Sequence, residues 1–325
     1  MLGSTLAILG VLILIFAVIA VKDLVLAKIK HTRYNWKNCL ASYGMILPAV
    51  VLAFIFVLLP IIYSLGYAFT DFYLLKPDNI TFDEDFSNFT IIIRSIREKG
   101  DMYYAIRNTS IFVVGVVPLQ IGMALGLALF VNRTKKGVGI FKVCYFAPVV
   151  ISLTITSYLW LQILSPSEYG LLNSILKLFG QKPRDFMRDK KGAMIWIIVM
   201  SAWQGCGYQM LIFLSGLTNV RKELYEAAAL DGANSWEQFL HVTCPGLRST
   251  FLYILITVFV GACRVMVQPM LMTGYVSDTL TLSYYMYQQG YTNRWVGRSS
   301  AVALMMTIVI GAITLLQRRL LREKD

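Results

Sequence analysis

A set of polar and aromatic side chains stands inside long apolar runs: Tyr158, Trp160 and Gln162, then Ser201, Trp203, Gln204, Tyr208 and Gln209, then Arg264 and Gln268. Such residues are functional candidates wherever the surrounding sequence belongs in lipid. Amides pair with hydroxyl groups and aromatic rings stack on sugar faces, so the set suits reversible binding of a polyhydroxylated solute. Plainer readings stand beside this one. Tyr158 and Trp160 also suit a membrane interface, and Gln204 and Gln209 also suit hydrogen bonds between helices. Arg264 is the sharpest residue, because a guanidinium in an apolar run costs several kcal/mol unless it is paired or hydrated. It reads either as a contact for an anionic group on the substrate or as half of an ion pair with an acid of a partner subunit. Bond-making chemistry has little support. The histidines are His31 and His241 alone, the five cysteines are scattered singly without metal-ligand spacing, and no phosphate-binding Walker A pattern occurs.

The elements that hold these residues follow from composition. The chain has 325 residues, 57% of them hydrophobic and 15% charged, where a soluble domain carries about 25% charged residues. Seven runs are long and apolar enough to cross a bilayer, near 4–21, 43–69, 105–131, 143–164, 193–215, 251–270 and 299–316. The first reads as an uncleaved anchor, since no basic segment precedes it and no small-residue cleavage site is obvious. A net charge of +12 in such a chain orients it rather than marking a nucleic-acid partner.

Basic residues cluster in 22–42 (Lys22, Lys28, Lys30, Arg33, Lys37), in 132–142 (Arg133, Lys135, Lys136, Lys142) and in the tail (Arg318, Arg319, Arg322, Lys324). Alternation of seven spans puts these segments and the 216–250 loop on one side, which the positive-inside rule makes the cytoplasm. The N-terminus is then expected outside and the C-terminus in the cytoplasm. The acid-rich segment 70–104 falls outside, either as a contact for an external protein or as a solvated linker. The basic segment 165–192 also falls outside and is the one dissenting loop.

One cytoplasmic loop carries more information than the rest. From Glu223 to Leu230 it is rich in helix formers. Gly232 is suited to the left-handed conformation that closes a helix. Ser235 with Gln238 predicts a capping box for a second helix, on which Trp236, Phe239, Leu240 and Thr243 share a face. Pro245 then constrains entry into the next span. A compact helical knob of this kind fits either a groove on another protein or the membrane surface.

The loop resembles the EAA signature of permeases from binding-protein-dependent ABC importers. The pattern falls on Glu226, Ala227, Ala228, Gly232, Val242 and Pro245, with Cys244 in place of the usual Leu and Ser249 where a second Pro is common. Tyr225, Asp231 and Ala233, the stretch Tyr169 to Asn173, and the segments 271–274 and 284–289 resemble the carbohydrate branch, the maltose-type subunits in particular. The resemblance implies an all-α integral membrane fold: a six-helix type I permease core plus one extra N-terminal transmembrane helix. Residues 1–42 would be that helix and a basic linker, 43–317 the permease domain with its EAA loop at 221–248, and 318–325 a basic tail. Glu226, Ala227, Ala228, Asp231, Gly232 and Ala233 would couple to an ATPase. Arg264, Gln268, Ser201, Trp203, Gln204, Tyr208 and Tyr158 would line the substrate path, close to where maltose-type relatives hold sugar-contacting residues. The implied partners are a second homologous permease, two ATP-binding cassette subunits that hold ATP and Mg, an extracytoplasmic solute-binding protein and membrane lipid. The implied setting is a bacterial or archaeal inner membrane. The implied activity is import of a mono- or oligosaccharide, an acidic one included, with no chemistry or cofactor in this chain. A permease for another solute, such as a phosphodiester, is the alternative, and a membrane-bound transferase a more distant one.

Overall fold

The structure is a computed structural model that describes residues 36–321 except 78–79, 84, 134–136 and 189–191. The expected first span, at 4–21, lies outside the described residues. The chain divides after Gly66. The first unit contributes α1 (Trp36–Ala53), a wide π turn (Phe54–Leu58) and the start of α2 (Leu59–Tyr67). Pro60 lacks the N–H that would bond one turn back, and the widened turn sits directly before it.

The second unit, from Tyr67 onward, holds α3 (Ser87–Arg97), α4 (Asp101–Arg133), α5 (Val138–Val150), α6 (Leu153–Ile163), α7 (Leu171–Leu178) and α8 (Gly192–Asn219). After them come α9 (Lys222–Leu230), α10 (Ser235–Gln238), a π turn (Phe239–Thr243), α11 (Cys244–Gly246) and α12 (Arg248–Cys263). The chain ends with α13 (Val267–Met272), α14 (Leu282–Tyr287), a third π turn (Gln288–Thr292) and α15 (Val296–Leu321). No strand occurs among the described residues, only two isolated bridges, Thr70 to Phe82 and Tyr73 to Trp295.

Four helices are long and apolar enough to span a bilayer: Tyr43–Tyr67, Asp101–Asn132, Gly192–Asn219 and Val296–Leu320. Two further spans exist only if a bent pair counts as one, and these are the places where the sequence expectation fails in detail. The run 143–164 is not one straight helix. It breaks between α5 and α6 with a 99° bend, and Ser152 caps α6 by accepting a hydrogen bond from the Ile155 amide at 3.3 Å. The run 251–270 also stops early. Arg264 is the C-cap of α12, and a short α13 follows after three residues. Hydropathy records that a segment is apolar but says nothing of its direction.

α4 and α8 form the central contact. The buried side chains fall into three groups. One gathers Phe112, Met194, Ile197 and Met200 with Val265 and Met272. A second gathers Ala124, Ala128, Met210 and Phe213 with Leu247 and Ile254. A third gathers Ala68, Ile92, Met102 and Ala105 with Leu280, Tyr284, Ala301 and Val302. In the acid-rich segment, α3 is a packed element rather than a linker. Ile92 is fully buried, and the Asn88 amide donates to the carbonyl oxygens of Thr70 (2.8 Å) and Ala68 (3.3 Å). The basic loop is likewise held. Buried Asn173 donates to Ser165 O and Arg184 O and accepts from the Arg184 amide, at 2.9, 3.0 and 3.0 Å.

Candidate functional site

Two places carry the residues singled out by sequence. The first is the hairpin of α9 and α10. Helix α9 closes in a Schellman motif: Ala233 N donates to Ala228 O at 2.9 Å and Gly232 N to Ala229 O at 3.1 Å. This closure needs Gly232 at φ +82°, where a side chain is strained. The second helix is capped one residue earlier than the sequence suggested. Asn234, not Ser235, accepts from the amides of Trp236 (2.9 Å) and Glu237 (3.0 Å), and the Glu237 carboxylate accepts from Asn234 N at 2.7 Å. The acidic side chain three residues on completes the box, a part expected of Gln238, whose amide instead donates to Ala233 O. The π turn that follows divides the expected apolar face. Thr243 is buried, while Trp236 is exposed and stacks on Phe239 at 5.4 Å.

The hairpin presents an uncovered surface on which charged and apolar side chains alternate. Glu226, Ala227, Asp231 and Gly232 are exposed and Ala228 and Ala233 are half-buried. Leu230 is 90% exposed and Trp236 65%. Its inner side is fixed by Tyr225, whose hydroxyl lies 3.0 Å from the Thr243 hydroxyl. Thr243 in turn sits just before Leu247, a member of the second core group. The helical knob is thereby tied to the root of α12, and the axes of the segments on either side of Leu247 meet at 68°.

The second place is a cavity of about 580 Å³ walled by α4, α8 and α12, the start of α6 and the 264–268 segment. Its lining brings together Arg264, Gln268, Ser201 and Gln204 from the expected path, joined by Gln209. Trp203, Tyr208 and Tyr158 lie outside this lining. Trp203 packs edge-to-face on Trp160 at 5.9 Å and borders a separate cavity, while Tyr208 and Tyr158 are exposed elsewhere. Sequence reasoning missed Gln120. Its amide donates to the Gln209 oxygen at 2.9 Å across the contact of α4 and α8. A lone Gln in the apolar run 105–131 was the available signal.

Most neutral polar groups on the wall already have protein partners. Ser201 donates to Ile197 O at 2.7 Å. Gln204 donates to Ile151 O at 3.0 Å and to the Thr156 hydroxyl at 3.3 Å. A wall of engaged amides with one cation among them can bind a polar solute reversibly.

Comparison with known proteins gives the family. Residues 103–324 match the family described as "Binding-protein-dependent transport system inner membrane component". The chain belongs to this family and is a multi-pass membrane protein of a transport system. It is 31% identical to the arabinooligosaccharides transport system permease protein AraP of Bacillus subtilis (strain 168), over 86% of this chain and 88% of that protein. It is 32% identical to the lactose transport system permease protein LacF of Rhizobium radiobacter, over 67% of this chain and 76% of that protein. The resemblance to the carbohydrate branch therefore holds. In fold, it superposes with a TM-score of 0.76 and 23% identity on a chain from the crystal structure of a bacterial ABC transporter involved in import of the acidic polysaccharide alginate. That match covers 88% of this chain and 96% of the other.

Proposed function

We propose that this chain is one of two membrane-spanning subunits of an ATP-driven importer for a mono- or oligosaccharide. The observation that carries the reading is the α9–α10 hairpin, rigidly capped at both of its inner ends and carrying exposed Leu230 and Trp236 beside Glu226, Ala227 and Gly232. Exposed apolar side chains on a rigid knob suit a groove on another protein. That protein is the ATPase. Two copies bind ATP and Mg, and their closure pushes the hairpin, which moves α12 through the Tyr225–Thr243 contact. The chain itself makes and breaks no bond. A homologous second permease completes the pore, and an extracytoplasmic solute-binding protein delivers the cargo. The N-terminus lies outside and the hairpin and C-terminus lie in the cytoplasm, as the distribution of Lys and Arg supports. Names of relatives support the cargo class, since two are named for arabinooligosaccharides and for lactose.

Affinity purification of the full chain from its native membrane tests the assembly. The expected result is recovery of two ATPase copies and a second permease, with ATPase activity raised by sugar-loaded binding protein. A chain that purifies alone and is active alone overturns the reading.

A further inference from the structure

Arg264 brings a full charge to the cavity wall, and among the described residues no acid pairs with it. No carboxylate lines the cavity. The depth of this charge follows from the helix beside it: Arg264 shares its wall with Ser201 and Gln204, which stand near the middle of the 28-residue α8. A cation at this depth is tolerated where it is paired or faces water.

The neutral groups nearby can accept from it but cannot cancel its charge, and most of their own donors are engaged elsewhere. Gln120 donates to Gln209, Gln204 donates to Ile151 and Thr156, and Ser201 donates to Ile197. The N–H groups of the guanidinium are the largest set of donors left open to the cavity, in a planar fork that matches an oxyanion. The first turn of α6 reaches the same cavity through Leu153 and adds the partial positive charge of a helix N-terminus. A neutral sugar leaves this charge uncompensated, and an acidic one neutralises it.

We infer that the cargo is an anionic carbohydrate whose oxyanion, a uronate carboxylate or a phosphate ester, is met by Arg264 in the cavity. The inference rests on the carbohydrate-importer reading and adds charge selection to it. The rival explanation is that Arg264 pairs with an acid of the second permease.

The test uses the whole transporter in proteoliposomes with its binding protein. Uptake is measured for matched sets: oligogalacturonates against their neutral methyl esters, phosphorylated sugars against the parent sugars, and a range of neutral oligosaccharides. The expected result is preference for one anionic class, the carboxylate and phosphate arms telling which. Arg264→Gln should lower that uptake about tenfold or more, as loss of a charge-assisted hydrogen bond does, at unchanged yield of the assembled complex. Arg264→Lys, which keeps the charge without the fork, should retain part of it. Preference for neutral sugars, or equal loss of charged and neutral uptake in Arg264→Gln, overturns the inference and leaves the sugar importer standing. Loss of the second permease from the Arg264→Gln complex, with assembly kept in Arg264→Lys, also overturns it in favour of the subunit ion pair. Uptake of no carbohydrate at all overturns the importer reading and this inference with it.

Discussion

The side-chain amide of Gln204 donates to the carbonyl oxygen of Ile151 at 3.0 Å, joining α8 to the bend between α5 and α6 across 53 positions of sequence. A bend leaves carbonyl groups without their partners in the next turn, and lipid offers none. Gln204 supplies one from a neighbouring helix. Replacing it with Leu removes that donor and the bond to Thr156. The expected cost is about 1 kcal/mol or more for the part-buried carbonyl left without its donor, read as a lower unfolding temperature of the purified complex. An unchanged temperature would show that the bend is held by packing alone.

Gly232 separates backbone strain from loss of space. Nothing lies within 4 Å of where its Cβ would stand, yet its φ is +82°. Gly232→Val should therefore cost about 1–2 kcal/mol through the backbone alone, with Gly232→Asn clearly milder. Stimulation of ATPase activity by loaded binding protein is the readout. Equal losses in the two variants would point to surface contact rather than conformation.

Tyr225→Phe removes only the hydroxyl that meets Thr243. About 0.5–1.5 kcal/mol of local stability should go while the exposed face of the hairpin stays intact. The ratio of sugar carried to ATP hydrolysed should fall with binding of the ATPase unchanged. A variant with wild-type coupling would show that the hairpin moves α12 by another route.

Gly205 and Gly207 make a contrasting pair on α8. A Cβ at Gly207 would meet the Tyr145 backbone carbonyl of α5, which cannot give way. Gly207→Ala should separate the two helices at a cost of about 1–3 kcal/mol or more and lower the yield of folded protein. A Cβ at Gly205 would meet the Gln120 amide instead, the end of a flexible side chain. Gly205→Ala should fold, break the Gln120–Gln209 bond and change transport kinetics more than stability. Thermal melts and uptake rates measured on both variants check the difference.

The sequence made α4, α8 and α15 legible because each is a long apolar run with no competing pattern. It made the hairpin legible through Ala-rich residues, a Gly and a Pro at meaningful positions. The bends at Ile151 and Arg264 were not legible. Both lie in apolar segments, and the first depends on Gln204, which is distant in sequence. The cap at Asn234 was missed by one residue, because Ser235 and Asn234 are both good caps and only the reach of Glu237 decides between them. Trp203, Tyr208 and Tyr158 were grouped with the path by residue type. Which side of a helix faces the cavity depends on how α4, α6 and α8 pack, and residue type is silent on that.

The π turn at Phe239–Thr243 carries one residue more per turn than the α-helix on either side. The wide turn takes up that residue within itself, closed by the bond from Cys244 N to Phe239 O, so the helices on either side keep nearly the facing they would have without it. Deleting a single residue here would relax the turn to ordinary helix and leave Glu226 and Leu230 near their present azimuth about the root of α12. A deletion in the plain helix of α12 would instead turn the knob by about 100°. The segment therefore works as local slack, one spare residue held where its loss is absorbed before it reaches the hairpin.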